Sequence, residues 1–128
     1  MRDATVRTRS GKFQQDIEID EHHLIADEPV EAGGENAGPQ PHDFILAALG
    51  SCTSMTVKMY ADRKGWPLRR VEVKLSQAKE NDVHVIRRHV FLDGDLDQEQ
   101  RARLLEIANK CPVHRTLSGE IRIDSDLA

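Results

Sequence analysis

The sequence predicts an α+β domain, and three observations carry that prediction. Its strands come in consecutive runs and hairpins rather than in alternating strand–helix–strand units. One long segment is apolar or small on nearly every helical face. Only one other substantial helix is written in the chain. The hairpins make the pairing mainly antiparallel. The 128 residues fit one domain, 1–128, because a single core of this size buries roughly two-thirds of the surface that the unfolded chain exposes.

Thr5 to Thr8 and Phe13 to Ile19 read as strands flanking the turn Ser10-Gly11, and His23 to Ala26 reads as a third strand. Asp27 to Gln40 holds Pro29, Gly33, Gly34, Gly38 and Pro39 with little apolar content, which predicts a loop. Loops this long are usually functional or mobile. From Phe44 to Ala61 the residues predict a buried helix, with Asp43 at its N-terminus, Gly65 at C′ and Pro67 preventing continuation. A helix without a polar face has to be surrounded by sheet or by a partner subunit. Val71, Val73 and Leu75 then alternate with charged residues across Leu68 to Ala78, and Val83 to Leu92 forms the second arm of a hairpin turning at Glu80-Asn81-Asp82. Asp97 to Gln100 resembles a capping box opening a helix from Gln98 to Lys110, with Leu104, Leu105 and Ile107 on its inner side. Cys111-Pro112 ends that helix. Pro112 opens a short one to Leu117, and Glu120 to Asp124 predicts a last strand.

Composition excludes some functions. A net charge of -4 gives no cationic field for a phosphate backbone, and one Trp with one Tyr gives little stacking surface, so nucleic acid is not an expected partner. No apolar stretch of signal-peptide or bilayer-spanning length is evident, which reads as a cytoplasmic protein with no membrane association. In a reducing compartment two cysteines are not normally a static bridge. Catalysis, redox sensing, metal binding and plain burial all remain open.

The surroundings of the two cysteines differ. Cys111, if the short helix begins at Pro112, is its N-cap, where backbone N–H groups and the helix dipole favour thiolate over thiol. His114 and Arg115 follow one turn later as cationic or polarising groups. Cys52 lies in Gly50-Ser51-Cys52-Thr53-Ser54, whose small residues let a backbone or a substrate approach the sulfur. Leu46, Leu49, Met55 and Met59 supply apolar walls. A metal site from Cys52, Cys111 and His114 lacks the usual four-ligand spacing, and His22-His23 on a strand point to opposite faces, so no metal is expected.

The run Gly38-Pro39-Gln40-Pro41-His42-Asp43-Phe44 through Gly50-Ser51-Cys52-Thr53, followed by Lys64-Gly65-Trp66-Pro67 and by Lys110-Cys111-Pro112-Val113, resembles the OsmC/Ohr family of osmotically induced and organic hydroperoxide resistance proteins. The resemblance spans essentially the whole chain. It implies an intertwined homodimer in which two long central helices are wrapped by sheets from both chains. It also implies a thiol-dependent peroxidase acting on organic or inorganic hydroperoxides, with no bound cofactor. Cys52 matches the peroxidatic cysteine and Cys111 the resolving one, and an external dithiol or lipoyl-type reductant closes the cycle. Where family members carry an activating glutamate this chain has His42 and then Asp43. Arg9, in Arg9-Ser10-Gly11-Lys12, is the candidate for the family's thiolate-stabilising arginine. The competing expectation is a non-catalytic dimer of the same fold that binds a small apolar or electrophilic ligand or senses redox state.

Overall fold

The computed structural model describes residues 1–128. Strands β1 (Thr5–Thr8), β2 (Gln15–Ile19) and β3 (His22–Ala26) come first, followed by a 3-10 turn at Val30–Ala32 and helix α1 (Pro41–Lys64). Strands β4 (Leu68–Glu80) and β5 (Val83–Gly94) and helices α2 (Gln98–Ala108) and α3 (Pro112–Ser118) complete the chain. The α+β class and the antiparallel pairing match the expectation. The expected strand Glu120 to Asp124 does not form, and residues 119–128 have no regular structure. Ile121 and Ile123 alternate as strand residues do, yet both are exposed. A strand exists only within a ladder, and none in this chain takes these residues as a partner.

The chain divides into two compact units, Met1–Ile45 and Leu46–Ala128. In the first, β1, β2 and β3 form an antiparallel meander with Val6 opposite Ile17 and Ile17 opposite Leu24. The loop that follows is ordered around Asp27. Its buried carboxylate accepts the backbone N–H groups of Glu28 at 2.8 Å, Glu35 at 3.1 Å and Ala37 at 3.0 Å. The Ala37 N–H, with those of Glu28 and Glu35, holds the carboxyl below its ordinary value against the opposing effect of burial. Glu35 in turn accepts from the Lys12 N–H at 3.1 Å, tying the loop to the first hairpin.

Helix α1 begins at Pro41, three residues before the expected Phe44, because proline at the first helical position sacrifices no hydrogen bond. Asp43 is therefore the third helical residue rather than the cap, and its Oδ2 accepts the Gln40 N–H at 3.0 Å. At the other end Gly65 adopts φ 70°. Its N–H reaches Asp62 O at 3.1 Å while the Trp66 N–H reaches Ala61 O at 2.9 Å, the paired bonds of a Schellman stop.

In the second unit β4 and β5 form one long hairpin, closed by Asn81 and Asp82 at φ 49° and 63°, the left-handed pair of a type I′ turn. Its inner face sets Val71, Val73 and Leu75 opposite Leu92, Val90 and Arg88. Val57 and Ala61 of α1 form the core with Leu68 and with Leu104 and Ala108 of α2. Helix α2 opens on the expected capping box, with Asp97 accepting the Gln100 N–H at 2.7 Å and the Gln100 side chain accepting the Asp97 N–H at 2.9 Å. Contrary to the sequence reading, α1 is long and apolar enough to cross a membrane by length and composition alone, since small polar residues such as Ser51 and Thr53 weigh little against its leucines. Its buried line, Leu49, Gly50, Thr53, Val57 and Ala61, is that of a core helix.

Candidate functional site

Three elements of the second unit converge on the two cysteines. Cys52 lies in the middle of α1 and is half-buried, and Thr53 beside it is fully buried. Gly50, one turn back along that buried line, lets the helix sit close to the sheet, since a Cβ there would lie 2.8 Å from Leu75 Cδ1. Cys111 is the N-cap of α3. Its extended backbone and Pro112 at the first helical position launch the helix, and its buried sulfur accepts the His114 N–H at 3.4 Å. The neighbouring amide, Val113 N–H, donates instead to Cys52 Sγ at 3.5 Å. Two consecutive N–H groups of one helical turn thus serve the two sulfurs, and the Cys52 thiol is among the groups that lower Cys111. Both cysteines are free.

The cation of this site is Arg88 from β5. Its Nη1 donates to Thr53 Oγ1 at 3.0 Å, and its Nη2 donates to Asn109 Oδ1 at 2.7 Å and to His114 Nδ1 at 3.0 Å. Thr53 Oγ1 stands 2.7 Å from Leu49 O and 3.7 Å from Cys111 Sγ. Sequence reasoning missed Arg88, although a signal was there. It sits in phase with Ile86, Val90 and Leu92 along a strand that alternates inward and outward, and an arginine at an inward position needs buried acceptors.

These contacts set the charges. Burial pushes the Cys111 thiol up, but the His114 N–H, the Thr53 hydroxyl, the Cys52 thiol and the Arg88 charge together outweigh it and leave Cys111 below its ordinary value. Burial, and after it the Arg88 charge, holds His114 below its ordinary value as well. A guanidinium can only donate, so Nδ1 of His114 is an acceptor and the ring proton resides on Nε2. The sequence reading took His114 as a cationic or polarising group. In the structure it is a neutral acceptor, and the positive charge at Cys111 comes from Arg88.

The structure thus brings Cys52 and Cys111 together. Arg9, His42 and Asp43 belong to the first unit, where Arg9 pairs with Asp16 at 3.4 Å, Asp43 closes the first turn of α1, and His42 is exposed at the second position of that helix. A pair of neighbouring thiols, one buried and acidified and the other half-buried, is suited to reversible disulfide formation and thiol exchange.

No curated protein sequence matches the chain. Solved structures share its fold at low identity. The OsmC-like protein of Mycoplasma pneumoniae is 16% identical with a TM-score of 0.77, the match covering 93% of this chain and 88% of that one. For the organic hydroperoxide resistance protein OsmC of Legionella pneumophila the identity is 18% and the TM-score 0.71, over 93% of this chain and 90% of the other. OhrB of Bacillus subtilis, an organic hydroperoxide resistance protein, is 20% identical with a TM-score of 0.64, over 93% and 91%. The family model described as OsmC-like protein matches residues 33–126. That match takes in the Cys52 helix, the long hairpin and the Cys111-Pro112 helix start, well over half of the chain, and the protein belongs to the OsmC-like family.

Proposed function

We propose that the protein is a thiol-dependent peroxidase that reduces organic hydroperoxides through Cys52 and Cys111. The observation that carries this reading is the delivery of the Val113 and His114 N–H groups to the two sulfurs, which brings a half-buried thiol and a buried one to the same helix start. Membership of a family whose solved structures include organic hydroperoxide resistance proteins supports it. In the proposed cycle the Cys52 thiolate attacks one peroxide oxygen and the O–O bond breaks. The alkoxide leaves as an alcohol after taking a proton from solvent, and Cys52 becomes a sulfenic acid. Cys111 then attacks the Cys52 sulfur, the S–O bond breaks, and water leaves as the disulfide forms. An external dithiol, of which a lipoyl group is the expected type, reduces that disulfide by exchange.

The reading includes a homodimer in the cytoplasm. Ala47, Ala48, Ser51, Met55 and Met59 leave a small-residue and apolar stripe exposed along α1, which a second copy of the chain would cover. Two free thiols suit a reducing compartment. Arg9, His42 and Asp43 stay in the proposal as the residues whose replacement tests the activating role that the family resemblance implies.

The test is a thiol count. Cumene hydroperoxide added to the reduced protein is expected to remove both thiols of each chain, and Cys52→Ser to abolish peroxide consumption. Thiol counts that stay unchanged under excess peroxide would sink the proposal. A non-catalytic binding protein is the second reading, and it has its own observation. A cavity of about 500 Å³, walled by Leu49, Ile86, Leu105 and Leu117 around Arg88 and His114, includes neither cysteine in its lining. Saturable binding of a small apolar molecule without sustained peroxide loss in dithiothreitol would select it.

A further inference from the structure

We propose that Arg88 is a positioning residue that works through the Thr53 hydroxyl to favour negative charge on the Cys111 sulfur, ready to close onto Cys52 once Cys52 is oxidised. The kinetic half of this inference rests on the peroxidase reading above; the protonation half does not.

Thr53 Oγ1 has a single proton, and Arg88 Nη1 already occupies one of its lone pairs at 3.0 Å. Two acceptors are within reach of the proton, Leu49 O at 2.7 Å and Cys111 Sγ at 3.7 Å. With Cys111 as a thiol, the hydroxyl donates to Leu49 O and the S–H can donate to Oγ1. When the sulfur loses its proton, rotation about the Cβ–Oγ1 bond aims the hydroxyl at the thiolate, and no heavy atom has to move. Arg88 strengthens that donation by polarising the hydroxyl. Its three partners, Thr53, Asn109 and His114, are all neutral, so no carboxylate among them cancels its charge. The groups that face Cys111 are Cys52 and Thr53 from α1, Arg88 from β5 and the neutral His114 of its own helix. Arg88 is the permanent positive charge in that set.

In the step it serves, the Cys111 thiolate attacks the sulfur of the Cys52 sulfenic acid. The S–S bond forms, the S–O bond breaks, and the departing hydroxide takes a proton to become water. A rise of about one unit in the Cys111 midpoint lowers its thiolate fraction about tenfold at pH values below that midpoint. The weaker acid is the better nucleophile, so closure slows by about threefold rather than tenfold.

The test follows the ultraviolet absorbance of the Cys111 thiolate against pH in the Cys52→Ser protein, alone and combined with Arg88→Met, Thr53→Val or Thr53→Ser. The midpoint is expected to move up by about one unit with Arg88→Met and with Thr53→Val, and to stay in place with Thr53→Ser, which keeps the hydroxyl. An unmoved midpoint in a natively folded Arg88→Met or Thr53→Val protein overturns the proposal, as does a Thr53→Ser shift as large as that of Thr53→Val. Should Arg88→Met not fold, Arg88→Gln, which removes the charge but keeps a polar side chain, takes its place and is expected to raise the midpoint in the same sense. Peroxide that leaves the thiols intact would remove the peroxidase reading while the titration still stands. If the wild type closes its disulfide under peroxide while the Cys111 midpoint in the Cys52→Ser background does not respond to Arg88→Met or Thr53→Val, this proposal alone falls.

Discussion

Arg88 stands directly opposite Leu75 in the β4–β5 ladder, on the face that α1 approaches at Gly50. That register places a guanidinium within a row of aliphatic side chains and aims it at His114. Replacing Arg88 with Met keeps the apolar stem and removes the charge, so the His114 midpoint is expected to rise part of the way toward ~6.5, the ordinary histidine value. The rise is partial because burial, the larger cause of the depression, remains. A histidine depressed in the folded state contributes stability above its unfolded pKa and loses it as pH falls through the folded value, so this acid-side loss shrinks in Arg88→Met. An NMR titration of the imidazole C–H resonances measures it, and a midpoint identical in both proteins would contradict the assigned contact.

Asp27 makes a prediction for the first unit. Its folded pKa lies below the ordinary value, so the stability it contributes is present above the unfolded pKa of about 3.9 and is lost as pH falls through the folded value. In Asp27→Asn an amide NH₂ group can take only one of the two carboxylate positions and cannot accept. Either the Glu28 N–H or both the Glu35 and Ala37 N–H groups then lose their acceptor. Hydrogen exchange at these amides is expected to accelerate in the variant at neutral pH and in the wild type on acidification. Equal protection in both proteins at neutral pH would show that the carboxylate does not order the loop.

Most of the fold was legible because its signals are local. The period-two runs, Gly65 after α1, the Asp97 to Gln100 box and Pro112 after Cys111 each act within a few residues. The cysteine pair was legible as well, since a mid-helix cysteine among small residues and a Cys-Pro helix start are visible in the chain itself. Arg88 was not, because its acceptors Thr53, Asn109 and His114 come from three other places in the chain. Asp27 was hidden for the same reason, two of its three donors lying eight and ten residues away. Residues 120–124 failed in the opposite sense: their alternation is real, but strand formation depends on a ladder partner that no local pattern encodes.

Leu104 tests the core. It is fully buried against Val57, Ala61, Leu68 and Ala108, where α1, α2 and the start of β4 meet. Leu104→Ala leaves a cavity at that junction and is expected to cost about 2–5 kcal/mol. Urea denaturation should show a lower midpoint with an unchanged slope. A loss under about 1 kcal/mol would mean that the second unit does not depend on this junction.

The exposed stripe on α1 makes the last prediction. Met55 and Met59 are 62% and 56% exposed, one helical turn apart on the same face. A face of this kind, continuing through the small residues Ser51 and Ala48, allows two helices to approach closely and bury both methionines against their symmetry mates. A carboxylate placed there has no partner in such an interface, and its desolvation costs on the order of several kcal/mol per ion. Two of them weaken association by more than about a hundredfold, since each 1.4 kcal/mol is a factor of ten. The wild type is therefore expected to sediment as a dimer and to melt at a temperature that rises with concentration. Met55→Asp combined with Met59→Asp should sediment as a monomer whose melting temperature does not depend on concentration. A wild type that stays monomeric at every concentration would sink the dimer. A double variant that stays dimeric would place the interface on a different face of the chain.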